Sequence, residues 1–205
     1  LLSTAAGSVA SPALTPAELA AIGVSGVTAD NLNAILAGIT ATTDNGSGIA
    51  SLSALQGVVD QAAAAYTAAI SEISSFNGSQ TAPAIPDLQT YADAGVTGVS
   101  GSNLAAINSL MAALPTAATD TAAEIQAVVD AYAALLAGAD NTDNNNVTLT
   151  AAQYQTLGLA QIDTPAEVSL LNDVIDNATA LEVATASQLQ ALAQSIQSVM
   201  TTAMG

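Results

Sequence analysis

Apolar residues recur at intervals of three and four along most of this chain, and that interval places them on one face of an α-helix. The longest such stripe lies between residues 52 and 73. Its spacing predicts an amphipathic helix that packs against two others. The stripe consists of Leu52, Leu55, Val59, Ala62, Tyr66, Ile70 and Ile73.

A short motif recurs along the chain and marks the phase of a repeat. "GVSGVTADNL" at 23–32 is echoed by "GVTGVSGSNL" at 95–104, and a degraded copy, "GLAQIDTPAEV", follows at 158–168. Each copy opens on glycine, the residue that most often ends a helix in the left-handed conformation. A first helix is therefore predicted to end there, and the residue one helical turn earlier is Leu19, Tyr91 or Tyr154.

The second helix of each copy is predicted to begin just after the loop of the motif. Thr28, Ser100 and Thr164 are the expected cap residues. Asn31 and Asn103 share one position in two copies, and we expect them to bond free backbone N–H groups in the first turn of this helix rather than to form a repeated binding feature. Apolar residues then follow at helical spacing. They are Leu32, Ile35 and Ile39, then Leu104, Ile107 and Met111, then Val168, Leu171 and Ile175.

A third helix is predicted around "LQGVVDQ" at 55–61, "IQAVVDA" at 125–131 and "LQALAQS" at 189–195. Start signals support this scheme, because several segments match the capping box, in which an N-cap Ser or Thr pairs with Glu or Gln three residues later. Two of these segments also carry Pro at the first helical position. The boxes pair Thr15 with Glu18, Thr121 with Glu124, Thr150 with Gln153, Thr164 with Glu167 and Thr185 with Gln188.

Loops rich in Asn, Asp, Gly and Pro divide the chain into units. "NGSQTAPAIP" at 77–86 and "DNTDNNN" at 140–146 separate one unit from the next. The opening "LLSTAAG" resembles the closing "VMTTAMG", so residues 1–7 are predicted to be the tail of a preceding helix. The expected fold class is all-α, a tandem array of three three-helix units. The units span residues 8–79, 80–143 and 144–205.

The composition restricts the partners of the chain. Its 205 residues include 17 Asp and Glu but no Lys, Arg, His, Cys or Trp, which gives a formal charge of −17. Nucleic acid is excluded as a partner because it is bound through Lys and Arg, and an anionic membrane surface is disfavoured for the same reason. No apolar run reaches the ~18 residues of a membrane span. A strongly acidic surface suits salty, divalent-rich surroundings, so we expect an extracellular or cell-surface location.

The uncompensated carboxylates also predict an unusual response to pH. They repel one another more in the compact chain than in the expanded one, so the folded state should on average bind protons more tightly. By linkage, stability is then expected to rise as the pH falls from neutral toward the carboxylate range. Carboxylates at helix N-termini oppose this trend, because that position favours their charged form.

Catalysis is disfavoured by the side chains that are missing. Without His, Cys or Lys there is no Ser-His triad, thiol nucleophile, Schiff base or imidazole metal ligand. A carboxylate pair such as Asp173 with Asp176, or Asp87 with Asp93, could serve glycoside hydrolysis in principle. Aromatic residues make up only 2% of the chain and offer no sugar platform, so we expect these acids to lie on solvated helix faces and the chain not to be an enzyme.

Calcium is the better candidate for a ligand. In "DNTDNNNVTLTA" at 140–151, Asp140, Thr142 and Asn144 fall at the first, third and fifth positions of an EF-hand-like loop. The match then fails, because Ala151 stands where the bidentate Glu belongs and the glycine of the turn is missing. The competing interpretation is an Asn-rich turn between two units, and no other cofactor is expected.

The motif Gly-Val-x-Gly-Val-x-x-x-Asn-Leu followed by a "Val-Val-Asp" helix resembles the acidic, Ala-rich helical tandem repeats of very large secreted bacterial surface and adhesin-type proteins. This resemblance implies a secreted structural or adhesive role and carries over no catalytic residue. The expected function is a non-catalytic spacer segment of such a protein. The alternative is a self-assembling protomer of an extracellular filament or surface layer. The expected partners are neighbouring repeats or copies of the chain itself, with any receptor unidentified.

Overall fold

A computed structural model describes residues 14–43, 45–76, 85–142 and 147–204. Nine α-helices and no β-strand occur within these ranges, which confirms the prediction of an all-α fold. Single 3₁₀ turns lie at Ser47–Ile49 and Thr116–Ala118. The helices are α1 (Pro16–Ala21), α2 (Leu32–Thr40), α3 (Leu52–Ser75), α4 (Leu88–Asp93), α5 (Leu104–Ala113), α6 (Ala122–Gly138), α7 (Ala151–Thr156), α8 (Pro165–Asp176) and α9 (Ala186–Met204).

Helix lengths follow a recurring order along the chain. The helices α1, α4 and α7 each have 6 residues. The next helix in each case has 9, 10 or 12 residues, and the one after it has 24, 17 or 19. The predicted tail at residues 1–7 and the predicted unit boundaries at residues 79 and 143 lie outside the described residues.

Capping boxes start the helices that the sequence pattern assigned to them. In α1, Thr15 accepts a hydrogen bond from Glu18 N at 3.2 Å, and Glu18 Oε2 accepts one from Thr15 N at 2.8 Å. Such a pair satisfies two backbone donors that the first helical turn leaves without partners. All five predicted boxes contain the expected bond from the third helical residue to the N-cap hydroxyl: Thr15, Thr121, Thr150, Thr164 and Thr185.

The glycines that open the motif end the short helices, as predicted. Gly23, Gly95 and Gly158 have φ values of +92°, +72° and +86°, a region that costs most other residues free energy. The residue after each glycine donates its N–H back to the carbonyl five residues earlier, as in Val96 N to Tyr91 O at 2.9 Å. This is the Schellman arrangement, and it reverses the chain toward the next helix.

The buried apolar side chains form two clusters. The smaller cluster joins Leu19 and Val24 to side chains of α2 and of the first half of α3. The larger cluster begins at Ala69, Ile73 and Phe76 and continues through α4 to α9. The helix α3 therefore contributes to both clusters, its first half to one and its second half to the other.

Most predicted core positions are buried, with one clear exception. Ile35, Ile107 and Leu171 in the second helices are fully buried. The prediction that Leu52 lies on the buried stripe of α3 is wrong, because its side chain is exposed. Leu52 is the first residue of α3, one turn before the stripe meets α1 and α2, and its side chain lies over Gly23 instead.

Each of the first two long helices packs against the short helix that follows it: α3 contacts α4, and α6 contacts α7. Thr90 of α4 donates to Glu72 of α3 at 3.1 Å. Farther along, Ala186 N donates to Ser109 Oγ at 3.1 Å, and Tyr132 donates to Val183 O at 3.3 Å. These hydrogen bonds join α4 to α3, the start of α9 to α5, and the segment before α9 to α6.

Candidate functional site

A glutamine on two of the long helices holds the loop that follows the short helix. Gln56 of α3 accepts from Ser25 N at 2.9 Å and donates to Ser25 O at 3.1 Å. Gln126 of α6 makes the same pair of bonds with Thr97, at 2.8 and 3.1 Å. One side-chain amide thus pairs with both backbone groups of a loop residue. We call this arrangement the glutamine clasp.

The aspartate of the "Val-Val-Asp" pattern orients the clasp. Gln56 Nε2 donates to Asp60 Oδ1 at 2.7 Å, and Gln126 Nε2 donates to Asp130 Oδ1 at 2.8 Å. Aspartate and glutamine lie four residues apart and therefore on the same face of the helix. The repeated "Gln-x-Val-Val-Asp" letters thus have a structural role in both copies.

The third copy replaces the clasp with a different contact. Gln190 Nε2 donates to Gly158 O at 2.7 Å, and Gln190 Oε1 accepts from Gln161 Nε2 at 3.0 Å. Gln161 occupies the position of Gly26 and Gly98, which have φ values of +82° and +83°. Because glutamine disfavours that conformation, the loop takes another course and brings a side chain to Gln190.

Removing the clasp is expected to destabilise the fold moderately. The change Gln126→Ala deletes two hydrogen bonds to the Thr97 backbone, which corresponds to about 1–2 kcal/mol of unfolding free energy. Urea denaturation of the variant measures the loss. The control is Gln89→Ala, because Gln89 also donates to an aspartate four residues on, at 2.7 Å to Asp93, but holds no loop. Equal losses in the two variants would contradict the role of the clasp.

The asparagines of the motif do not act as predicted. Asn31 and Asn103 are themselves the N-caps of α2 and α5, and neither makes a side-chain cap bond. Thr28 and Ser100 are therefore not the caps of these helices, whereas Thr164 does cap α8. The asparagine side chains bond backward into the loop instead.

Both asparagines close the same loop in the same way. Asn31 Oδ1 accepts from Thr28 N at 2.8 Å, and its Nδ2 donates to Gly26 O at 2.9 Å. Asn103 repeats these bonds with Ser100 N at 2.7 Å and Gly98 O at 2.9 Å. Their amide groups are thus occupied within the loop, which supports a structural role rather than a repeated binding feature.

A buried tyrosine–asparagine pair joins the short helix to the next helix in two copies. Tyr91 donates to Asn108 Oδ1 at 2.7 Å, and Asn108 Nδ2 donates to Pro86 O at 2.8 Å. Burial raises the pKa of Tyr91, so its hydroxyl stays protonated and donates. The second pair matches the first: Tyr154 donates to Asn172 at 2.6 Å, and Asn172 donates to Leu149 O at 3.1 Å.

The first copy replaces this polar pair with two leucines. Leu19 and Leu36 stand at the corresponding positions, and both belong to or pack against the smaller cluster. A hydrogen-bonded pair and an apolar pair are the two ways of filling a buried position without leaving a polar group unsatisfied. The hydroxyls of Tyr91 and Tyr154 are thus occupied by hydrogen bonds within the fold.

Several carboxylates are held in their charged form by helix and turn N-termini. The Thr164 backbone N–H, at 2.9 Å, and the Thr164 hydroxyl lower the pKa of Glu167 from 4.5 to about 2. Gln197 Nε2 also donates to Glu167. The pKa of Asp87 and that of Glu182 are lowered in the same way, by the backbone N–H of Thr90 and of Thr179.

The pKa values of the neighbouring carboxyl groups Asp120 and Glu124 are shifted in opposite directions. A hydrogen bond from the Thr121 hydroxyl lowers the pKa of Glu124. The adjacent Asp120 bonds to Glu124 and is repelled by its charge, and both effects raise the pKa of Asp120. The pKa is thus lowered at Asp87, Glu124, Glu167 and Glu182 and raised at Asp120, so hydrogen bonds to individual carboxylates oppose the effect of mutual repulsion.

We therefore expect the chain to lose stability in acid. A lowered pKa in the folded state means that the unfolded chain binds protons more tightly, so unfolding is favoured as the pH falls from about 4.5 toward 2. Thermal melts at pH 3 and pH 6 should show the lower melting temperature at pH 3. A higher melting temperature at pH 3 would instead restore the repulsion argument.

The variant Glu167→Gln isolates one contribution to this acid sensitivity. Glutamine already serves in the capping box of α7, where Gln153 Oε1 accepts from Thr150 N at 2.9 Å, so the box geometry should survive. The variant is expected to show a smaller drop in melting temperature between pH 6 and pH 3. An unchanged drop would mean that Glu167 does not contribute.

The predicted calcium loop lies beside the end of α8. Asp140 forms an isolated antiparallel bridge with Thr179, and Thr142 N donates to Asp176 O at 3.3 Å. Asn144 lies outside the described residues. Over the described ranges, no three acidic, His or Cys side chains gather in a way that could hold a metal ion. Calcium binding through Asp140, Thr142 and Asn144 stays a prediction, and the observed contacts are those of a turn.

The carboxylate pairs considered for hydrolysis make local contacts. Asp87 Oδ1 accepts from Thr90 N at 2.9 Å, and Asp93 accepts from Gln89 at 2.7 Å. In the other pair, both acids lie on α8, and the expectation of a solvated helix face is wrong for Asp176, which is buried, whereas Asp173 is exposed. Capping and helix-surface bonds therefore account for the first pair.

Cavities lie between helices in the described part of the chain. One of about 710 Å³ is larger than a second one, and it is bounded by α5, the start of α9, Phe76 and Ile85; no titratable side chain is among the described residues that line it. Its Asn108 and Ser109 side chains already bond within the fold. The smaller, about 410 Å³, lies between α2, α3 and α4, with Asp93 as its titratable residue. The described residues that line the two cavities include no pair of groups suited to acid–base chemistry.

No described helix is both long enough and apolar enough to cross a membrane. Comparisons of the chain with protein-family models, with curated proteins and with solved structures found no match.

Proposed function

We propose that this chain is a non-catalytic spacer built as a tandem array of three three-helix units. Unit 1 comprises α1 to α3, unit 2 comprises α4 to α6, and unit 3 comprises α7 to α9. The spacer belongs to a very large extracellular bacterial surface or adhesin-type protein and holds other domains away from the cell. It needs no cofactor for this role.

The observation that carries the proposal is the recurrence of internal contacts at corresponding positions. The clasp of Gln56 on Ser25 in unit 1 returns as that of Gln126 on Thr97 in unit 2. Units 2 and 3 share the tyrosine–asparagine pair. In structural arrays, each repeat typically forms its own loop contacts and buries apolar surface against its neighbours.

The way in which neighbouring units join supports a spacer in particular. The second half of α3 contributes Ala69 and Ile73, and its C-cap contributes Phe76, to the cluster that continues through α4 to α9. A helix that belongs to two cores resists bending between them, because bending would expose apolar surface of one core. Such a joint transmits orientation from one unit to the next, as a spacer requires.

Distance measurements between spin labels test this proposal. The chain contains no cysteine, so labels attach only where one is introduced. Ala64→Cys in α3, Ala123→Cys in α6 and Ala191→Cys in α9 all lie at exposed helical positions. We expect a single narrow distance distribution for the pairs 64/123 and 123/191, unchanged between low and high salt. Broad distributions would contradict a rigid spacer.

A label pair within one helix supplies the control. Ser53→Cys with Ala64→Cys, both in α3 and both exposed, gives the width that the labels alone contribute. An inter-unit distribution as narrow as this one indicates a fixed joint.

A second candidate function is a self-assembling protomer of an extracellular filament or surface layer. Exposed apolar side chains at Ile22 in unit 1 and Val199 in unit 3 favour it. The mass of the native polypeptide distinguishes the spacer from the protomer. An antibody against this segment should detect a denatured band far above 20.0 kDa for a spacer, and a band near that mass for a protomer.

A further inference from the structure

We propose that α3 contains a built-in breaking point between Ala62 and Tyr66, at which the chain opens into two parts under a stretching load. The first part comprises α1, α2 and α3 up to this point, and the second comprises the rest of α3 and α4 to α9. The inference rests on the proposed spacer. It makes the spacer lengthen in two unequal steps rather than unit by unit.

The buried residues of α3 fall into two groups with a gap between them. Leu55 and Val59 belong to the smaller cluster, whereas Ala69 and Ile73 belong to the larger one. Every residue of α3 between Val59 and Ala69 is half-buried or exposed. The helix α3 thus passes from one cluster to the other through a stretch that neither cluster buries.

The two sides of this stretch can be assigned to different parts. Half-buried Ala62 packs against the smaller cluster. The hydroxyl of Tyr66, one turn later, interacts with the backbone of Ala122 at the start of α6. Only the alanines at 63–65 lie between them. Alanine is the strongest helix former, so it keeps α3 helical at rest, but so short a segment is not a stable helix once a flanking part opens.

A cavity of about 410 Å³ lies beside this stretch and separates the two parts. Gly38 and Ala62 line it on the side of the first part, and Ala65 and Ala92 line it on the side of the second. Gly95, just after α4, approaches α2 closely but has no side chain to bury. Small side chains offer few atoms for contact, so little apolar burial is lost when the two parts separate here.

The corresponding place between the next two units is filled. Counted from the motif glycine or from the clasp glutamine, the positions of Gly38, Ala62 and Ala65 hold large side chains there. These are Leu110, Tyr132 and Leu135, which are 1%, 2% and 0% exposed and belong to the larger cluster. Both α3 and α6 are followed by another described unit, so the two places can be compared directly.

The helix α6 accordingly has no gap like that of α3. Its buried residues follow one another within single helical turns, from Ile125 to Gly138. Tyr132 also donates a hydrogen bond to Val183 O at 3.3 Å, and Ala186 N donates to Ser109 Oγ at 3.1 Å. We therefore expect α4 to α9 to open together, as one cooperative body.

Stretching single molecules from end to end tests the breaking point. Handles attach through a cysteine added at each end, because the chain contains none. Each unfolded residue contributes at most ~3.5 Å of length, so residues 14–64 release ~18 nm and residues 65–204 release ~49 nm. We expect these two steps. A single step, three steps of ~20 nm, or steps of ~22 and ~45 nm with the break at the end of α3 would each overturn the proposal.

Two matched variants test the role of the cavity. Ala65→Leu introduces the side chain that Leu135 has in α6, and it should fill part of the cavity and join the two parts. Ala64→Leu is the control, because Ala64 is exposed on the same helix and does not line the cavity. Circular dichroism melts establish that both variants are folded.

We expect Ala65→Leu to open in one event in a larger fraction of traces than the unchanged chain, and Ala64→Leu to keep the two steps. The same fraction in both variants would overturn the role of the cavity. The spin-label distances, measured without load, decide the spacer proposal separately. Narrow distances together with a single opening step would refute the breaking point and leave the spacer standing.

Discussion

Replacing Gly95 by alanine is expected to destabilise the chain by about 2–5 kcal/mol, more than the same replacement at other left-handed glycines. An added Cβ would lie 2.9 Å from the backbone N of Ala34 and 3.2 Å from Asn33 Cβ. Gly95 lies just after α4, whereas Asn33 and Ala34 lie in the first turn of α2. The change therefore pushes the end of α4 away from α2 as well as straining a turn.

The control for this prediction is Gly26→Ala. Gly26 has a φ of +82°, close to the +72° of Gly95, but a Cβ added there meets nothing within 4 Å. It should cost only the strain of the left-handed conformation, about 1–2 kcal/mol. Urea denaturation of both variants gives the difference. Equal losses would mean that the close approach of Gly95 to α2 does not contribute to the joint.

The helix starts that carry a capping box, and the helix ends at glycine, could be predicted from the sequence because their causes are local. A Thr followed three residues later by Glu or Gln satisfies backbone donors within one turn, wherever that turn lies in the fold. Thr15, Thr121 and Thr164 accordingly begin helices as expected. The left-handed glycines at 23, 95 and 158 are equally local, because φ is a property of one residue.

The contacts of the loops could not be predicted, because they depend on where distant residues come together. Gln56 and Ser25 are 31 residues apart, and nothing in "LQGVVDQ" indicates that the amide pairs with a backbone. The recurrence of Gln at the same place in each copy was the available signal. Asn31 was assigned to the helix that follows it, yet its side chain bonds to the loop that precedes it, at Gly26 O.

The periodicity of apolar residues also could not predict which of them stay exposed at the start of a helix. Leu52 continues the stripe of α3, and a helical wheel cannot tell that its side chain lies over Gly23 and stays exposed. The expected rise in stability at lower pH stays a prediction, and hydrogen bonds to individual carboxylates oppose it. Counting carboxylates weighs each one equally, whereas the Thr164 N–H and hydroxyl act on Glu167 alone and lower its pKa to about 2.

The largest effect within one unit is expected at the buried pair of Tyr91 and Asn108. The change Asn108→Leu removes the acceptor of the Tyr91 hydroxyl and the donor to the buried Pro86 carbonyl. Two buried polar groups then lack partners, which costs about 2–5 kcal/mol. Tyr91→Phe leaves only Asn108 Oδ1 without its donor and should cost about 1–3 kcal/mol. Chemical denaturation measures both losses.

The double variant Tyr91→Phe with Asn108→Leu tests whether the pair acts as one element. Leu19 and Leu36 show that unit 1 tolerates apolar residues at both positions. The double variant should therefore lose less stability than the sum of the single variants, by about 0.5–3 kcal/mol. The corresponding cycle at Tyr154 and Asn172 should give a coupling of the same sign, because its bonds follow the same path to Leu149 O. Additive losses in both cycles would mean that the two side chains contribute independently, and that the leucines of unit 1 are not an apolar substitute for the polar pair.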